Sequence, residues 1–64
     1  MEKTIYDNGA FYVFEYPAAL DGRQITAYGI RRTDRPQDGM IFANADKDFC
    51  IKIADGYKET LTKG

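Results

Sequence analysis

The sequence predicts an α+β fold: a three- to four-stranded antiparallel sheet with one C-terminal helix packed on one face, in the order ββββα. Three observations carry this. The stretch Asn44–Leu61 repeats apolar residues at helical spacing. Upstream of it, β-prone runs are punctuated by Asn8-Gly9, Asp21-Gly22 and Asp38-Gly39. The connections between those runs are short, which favours an antiparallel meander.

Lys3–Tyr6 is β-prone and is followed by Asn8-Gly9, a hairpin signal because both central positions of a type I′ turn need φ > 0. Ala10–Tyr16 has five aromatic or β-branched residues among its seven and predicts the second strand. Pro17 is expected to stop it, since proline cannot donate to a ladder. Ala18–Gly22 then reads as a connection and Arg23–Arg32 as the third strand, with Ile25, Thr26, Tyr28 and Ile30 as β-formers. Thr33–Gly39 holds Pro36 and Asp38-Gly39 and predicts a loop. Met40–Ala43 predicts a short fourth strand that runs directly into the helix N-cap.

In the helix, Phe49, Ile53, Tyr57 and Leu61 recur every four residues, flanked by Cys50 and Ala54. Asp48, Lys52, Asp55, Glu59 and Lys63 fall opposite, so the segment is amphipathic. Asn44 suits the N-cap, and Asp46 and Asp48 in the first turn with Lys58 and Lys63 near the last suit the macrodipole. Gly56 conflicts with a helix interior, yet Tyr57 and Leu61 keep the register and favour continuity. Ile51 lies off the apolar arc. Burying the larger apolar side chains contributes about 2 kcal/mol each. Fixing the backbone costs about 1–2 kcal/mol per residue, so the helix needs a partner surface.

The chain has 64 residues, read as a single small domain spanning 1–64 with a marginal core. Nine basic and ten acidic residues nearly cancel, which does not favour a strongly basic nucleic-acid binder. No apolar run approaches the roughly 20 residues of a membrane span, and Met1–Asn8 is too polar for a signal peptide. With one cysteine there is no internal disulfide, and Cys50 reads as a buried thiol in a reducing compartment. With no histidine, a structural zinc site and a histidine-activated nucleophile are excluded. No cofactor or catalytic set is expected, and the chain reads as a non-enzyme.

Strand alternation splits the second strand into Tyr12, Phe14 and Tyr16 on one face and Phe11, Val13 and Glu15 on the other. On the third strand Thr26, Tyr28 and Ile30 share a face, opposite Ile25 and Ala27. One helix covers only one face, so the uncovered one is expected to bind another protein, a larger target or a second copy. Alternation alone leaves open which face the helix takes. If it takes the Tyr12 side, Phe11, Val13 and Glu15 become the contact residues. Arg31, Arg32 and Arg35 form a second candidate contact, to an acidic protein surface or to nucleic acid, although Asp34 and Asp38 interleave with them. Asp48, Asp55 and Glu59 form an acidic ridge on the exposed helix face, diluted by Lys52 and Lys58. A structural homodimer is a further alternative.

Tyr28-Gly29-Ile30-Arg31, then Gly39-Met40-Ile41-Phe42-Ala43-Asn44, then the helix from Ala45 to Leu61, resemble the strand–turn–strand–helix ending of small phage and mobile-element accessory proteins. Anti-CRISPR proteins belong to this size class. The resemblance is one of size and layout over the second half of the chain. It implies a phage-encoded inhibitor, cytoplasmic in a bacterial host, that occupies a surface of a defence complex, and it carries no residue roles.

Overall fold

The computed structural model describes residues 2–63. The elements are β1 (Lys3–Asp7), β2 (Phe11–Leu20), β3 (Arg23–Arg32), a 3-10 turn at Pro36–Asp38, β4 (Phe42–Asn44) and α1 (Lys47–Lys63). The strands form one antiparallel sheet in sequence order, and α1 covers one of its faces, as ββββα predicts.

The two hairpins are built differently from the expectation. Asp21 (φ 52°) and Gly22 (φ 77°) both have positive φ and join Leu20 to Arg23, so Asp21-Gly22 is the two-residue turn of type I′ character. At the first hairpin only Gly9 is left-handed, with φ 94°. Asn8 instead closes the turn with its side chain, its Oδ1 accepting from the N–H groups of Ala10 (3.0 Å) and Phe11 (2.9 Å).

Pro17 does not end β2, which runs on to Leu20, paired rung by rung with β3. The reason is where the missing N–H points. The Ile30 carbonyl accepts from Ile41 N, on the β4 side of β3. N–H and C=O groups alternate sides along a strand, so Thr26, two pairs further along, also points away from β2. Its partner Pro17 therefore points away from β3. β1 pairs no further than Glu15, so Pro17 lies on an edge where no ladder bond is lost.

β4 is Phe42–Asn44 rather than Met40–Ala43, and the helix starts later than Asn44. Asn44 Oδ1 accepts from Asp46 N at 2.9 Å, and Asp46 Oδ1 accepts from Phe49 N at 3.1 Å, so Asp46 is the cap. The helix passes through Gly56 without a break. A Cβ added at Gly56 would meet nothing within 4 Å. Gly56→Ala is therefore expected to stabilise the domain by about 0.5–1 kcal/mol, read as a higher midpoint in thermal unfolding. The Lys63 side chain, and with it the macrodipole role read for it, lies outside what is described.

The core lies between α1 and the sheet. Phe11, Val13, Ile30, Cys50 and Ala54 are its buried members. Cys50 and Ala54 are the fully buried line of the helix, with Ile53 and Tyr57 packed beside them. Ile51, placed off the arc by sequence, packs against the core, while Phe49 and Leu61 are 43% and 49% exposed. A bulge at Ile5 turns both Ile5 and Tyr6 toward this side, where they pack against the core. The molecule is long for its mass, 41 × 22 × 16 Å. The length comes from β2 and β3, which continue as a two-stranded ribbon beyond the last rungs of β1 (Lys3↔Glu15) and β4 (Asn44↔Tyr28).

Candidate functional site: the uncovered sheet face

Because α1 covers the Phe11 side, the contact set Phe11, Val13 and Glu15 is corrected. Phe11 and Val13 are 4% and 0% exposed beneath the helix, with the Phe11 ring 5.5 Å from that of Tyr57. Glu15 shares their face, opposite Tyr28. The uncovered face carries Tyr12, Phe14 and Tyr16.

These three rings stand in a row, with centroids 5.9 Å apart between Tyr12 and Phe14 and 5.6 Å between Phe14 and Tyr16. Phe14 is only 2% exposed, although no helix lies over it. Its neighbours bury it. The Arg31 guanidinium lies 4.2 Å from its ring centroid, a cation–π contact. On β3 its cross-strand neighbour is Gly29, and the space a side chain would fill there is taken by Phe14 and Met40. Tyr12 and Tyr16 remain half-exposed on either side.

Arg31 is held in place by Glu2, to which it donates a fork of two hydrogen bonds, one of 2.9 Å from Nη2 to Oε2. That fork, and secondarily the neighbouring Tyr12 hydroxyl, raises the guanidinium pKa above its ordinary value; the same fork lowers that of Glu2. The cation is fixed over the ring and already neutralised. Next to it, Glu2, Thr4, Asp7, Tyr12 and Thr33 line a shallow depression of about 390 Å³. Toward the ribbon tip the same face carries Tyr16, Ala18 and Leu20 on β2 and Ile25 and Ala27 on β3, with the exposed Arg23 at its end. Leu20 is 60% exposed.

The arginine cluster does not assemble. Arg31 and Arg32 lie on opposite faces of β3. Arg32 forms a fork with Asp34, with both contacts at 3.0 Å, and Arg35 lies 3.8 Å from Asp38. These pairs raise the pKa of Arg32 and lower that of Asp34. The acidic ridge is broken as well: Asp55 faces the first hairpin, accepting from Tyr6 Oη at 2.8 Å and Asn8 Nδ2 at 3.0 Å. Asp48 and Glu59 remain exposed. Cys50 sits in the core, where burial raises the pKa of its thiol. Among the described residues, no three potential metal ligands converge and no helix is long and apolar enough to cross a membrane.

Sequence reasoning named Tyr12, Phe14 and Tyr16 but missed Gly29, Met40, Leu20 and Glu2 as parts of this face. Gly29 was the available signal. A glycine inside a strand marks a place where another group comes close, and here that group is Phe14.

Comparison with protein-family models, with curated proteins and with solved structures finds no match.

Proposed function

We propose that this protein is a non-enzymatic binding module that docks its uncovered sheet face on a larger protein. The observation that carries the reading is the Tyr12–Phe14–Tyr16 row on a face that no element covers. Tyrosines in such a row bury area on contact and keep a hydroxyl for the rim. Phe14, buried over Gly29 and beneath Arg31, flanks both tyrosine rings and orders them beforehand, so little side-chain entropy is lost on docking. The partner is a folded protein with an apolar patch for Tyr16 and Leu20. At the Tyr12 end of the row it presents a lysine or arginine for Asp7, which lines the depression beside the Glu2–Arg31 pair.

The size and layout that resemble anti-CRISPR proteins make a bacterial defence complex in the host cytoplasm the first partner to test. A photo-crosslinking phenylalanine analogue placed at Tyr16 is expected to give one discrete adduct in cells carrying both proteins. The same analogue at Glu59, on the opposite side of the molecule, is expected to give none. Equal adducts from both positions, or none from Tyr16, would overturn the reading. No observation favours nucleic acid, since Glu2, Asp34 and Asp38 pair the three arginines of that alternative.

A further inference from the structure

We propose that Asn8 is a spontaneous modification site that the fold holds closed. When the domain opens, Asn8 loses ammonia through the Gly9 nitrogen, and the product cannot rebuild the tie to α1. Asn8 is the one asparagine of the chain that a glycine follows. In the folded protein every polar group of Asn8, backbone and side chain, is engaged in a hydrogen bond.

The chemistry is that of the dipeptide. The Gly9 nitrogen attacks Asn8 Cγ, its amide proton passes to water or hydroxide, and Nδ2 leaves as ammonia. A cyclic imide results. Water then opens the imide on either side of its nitrogen, with no oxidation or reduction. Opening at Cγ leaves aspartate at position 8. Opening at the backbone carbonyl leaves the β-linked isomer, whose main chain runs through the former side chain. Glycine favours the attack because it has no Cβ to crowd it and turns freely. Asn44 precedes Ala45, whose methyl group hinders the same step.

Folding blocks each requirement. The carboxamide must swing over the Gly9 nitrogen, yet its Oδ1 is held by the Ala10 and Phe11 amides at 3.0 and 2.9 Å. Its Nδ2 is held by the Ala54 carbonyl at 3.1 Å and by Asp55 Oδ1 at 3.0 Å. The Asn8 N–H donates to the Phe11 carbonyl at 3.1 Å, and the Asn8 carbonyl accepts from Lys58 Nζ, so the backbone cannot turn to meet the side chain. The nucleophile is held as well. Gly9 N–H donates to Asp7 Oδ1 at 2.8 Å, and a carboxylate there opposes loss of the amide proton. Asn8 is only half-buried and Gly9 is exposed, so water reaches the site as soon as these bonds open.

The product is not equivalent to the parent. Aspartate at position 8 keeps an acceptor for the turn, has no Nδ2 donor, and sets a second negative charge beside Asp55. The β-linked isomer adds a carbon to the main chain inside the turn and moves the acceptor away from Ala10 and Phe11. Opening is reversible and loss of ammonia is not. The chain therefore keeps a permanent mark of having opened, made at a rate set by the population of the open form.

The experiment incubates the purified protein at neutral pH, folded in buffer and unfolded in urea, and follows intact mass with peptide mapping. Exchange of the amide NH2 for OH adds about one dalton at position 8. Isomerisation at Asp21-Gly22, Asp38-Gly39 or Asp55-Gly56 leaves the mass unchanged. The unfolded chain is expected to react at Asn8 well before Asn44. The folded protein is expected to react more than about a hundredfold more slowly, as the folded fraction of a small domain requires. Asp55→Ala frees Nδ2 from the carboxylate and should raise the folded rate severalfold without changing the unfolded one. Gly9→Ala should slow the unfolded chain severalfold, whether or not that variant folds. The modified protein, separated by charge, should unfold at a lower midpoint, with shifted amide resonances at Ala54 and Asp55.

Equal rates in the folded and unfolded chain overturn the proposal. So does an unfolded chain that stays intact at Asn8, a folded rate indifferent to Asp55→Ala, or a modified protein with the parent's midpoint. None of these readouts involves the Tyr12–Phe14–Tyr16 row, so the docking reading stands or falls separately.

Discussion

Asn8→Ala is expected to lower the stability of the domain by roughly 2–4 kcal/mol, at about 1 kcal/mol net per hydrogen bond lost. Four bonds go at once. Asn8 Oδ1 holds the Ala10 and Phe11 amides, and Nδ2 donates to the Ala54 carbonyl at 3.1 Å and to Asp55 Oδ1 at 3.0 Å. One side chain therefore closes the first hairpin and ties it to the middle of α1. A chain of 64 residues has a total stability of about 3–10 kcal/mol, so the loss is a large fraction of the whole. Thermal unfolding should show a midpoint lowered by roughly 15–30 °C.

Asn8→Asp separates the two halves of this role. It keeps the turn acceptors, loses the donors, and sets a second carboxylate beside Asp55. It should restore the hairpin without restoring the tie to the helix. The acid limb of the stability profile checks the same latch. The hydrogen bond from Asn8, and then that from Tyr6, lowers the pKa of Asp55 below its ordinary value. A carboxylate lowered in the folded state adds stability above its unfolded pKa and loses it as pH falls through the folded one. Without Asn8 the larger cause of that shift is gone. The variant should therefore lose less stability than the parent between neutral and acid pH, although it starts lower. An equal acid loss in both proteins would show that Asn8 does not hold Asp55 in solution.

The element order and the boundaries of β3 were legible because turn chemistry and β-branched runs agree there. Three of the features that differ from the sequence reading do so for a local physical reason. Asn8-Gly9 and Asp21-Gly22 both signal a tight turn, but only the second takes the type I′ form. Asn8 uses its side chain to bridge the turn, which an adjacent-residue rule does not weigh. Pro17 reads as a stop, and would be one if its nitrogen faced β3. Its parity relative to Ile30 decides otherwise, and parity follows from register, which the sequence leaves open. The apolar arc of α1 holds six residues by periodicity, and its centre is Cys50 and Ala54, not Phe49 and Leu61 at its margins. A helix that lies close to a sheet needs small side chains at the nearest approach, and Cys50 and Ala54 fill that line.

The candidate face was half legible. Alternation separated the Tyr12 set from the Phe11 set, and the surplus of apolar residues said that one would lack a helix. The choice between them rests on volumes. Phe11, Val13 and Ile30 pack against Cys50 and Ala54, while the Tyr12 side must fit a phenylalanine ring over β3. Such a ring fits only where β3 carries no side chain, and Gly29 meets that condition.

Gly29→Ala tests that fit most sharply, because strand propensity predicts the opposite sign. Glycine weakens a strand interior, so alanine at an unconstrained strand position would be favourable. Here the added Cβ would overlap Met40 Sδ and lie 2.7 Å from Phe14 Cζ. Met40 is 45% exposed and flexible, so it can swing away. Phe14 cannot, since Tyr12 and Tyr16 flank its ring and Arg31 lies over it. The ring must tilt outward, which strains its rotamer and opens the contact with Arg31. Such overpacking costs about 1–3 kcal/mol. The expected result is a lower unfolding midpoint, with stronger near-ultraviolet change at the tyrosines than anywhere on the helix side. The Phe11–Tyr57 contact lies across the sheet and should keep its chemical shifts. Partner crosslinking from Tyr16 should fall with the displaced row even where the protein remains folded. A more stable Gly29→Ala protein with an unchanged aromatic spectrum would mean that Phe14 does not rest on Gly29. The order of the tyrosine row would then have to come from some contact other than the bare backbone beneath Phe14.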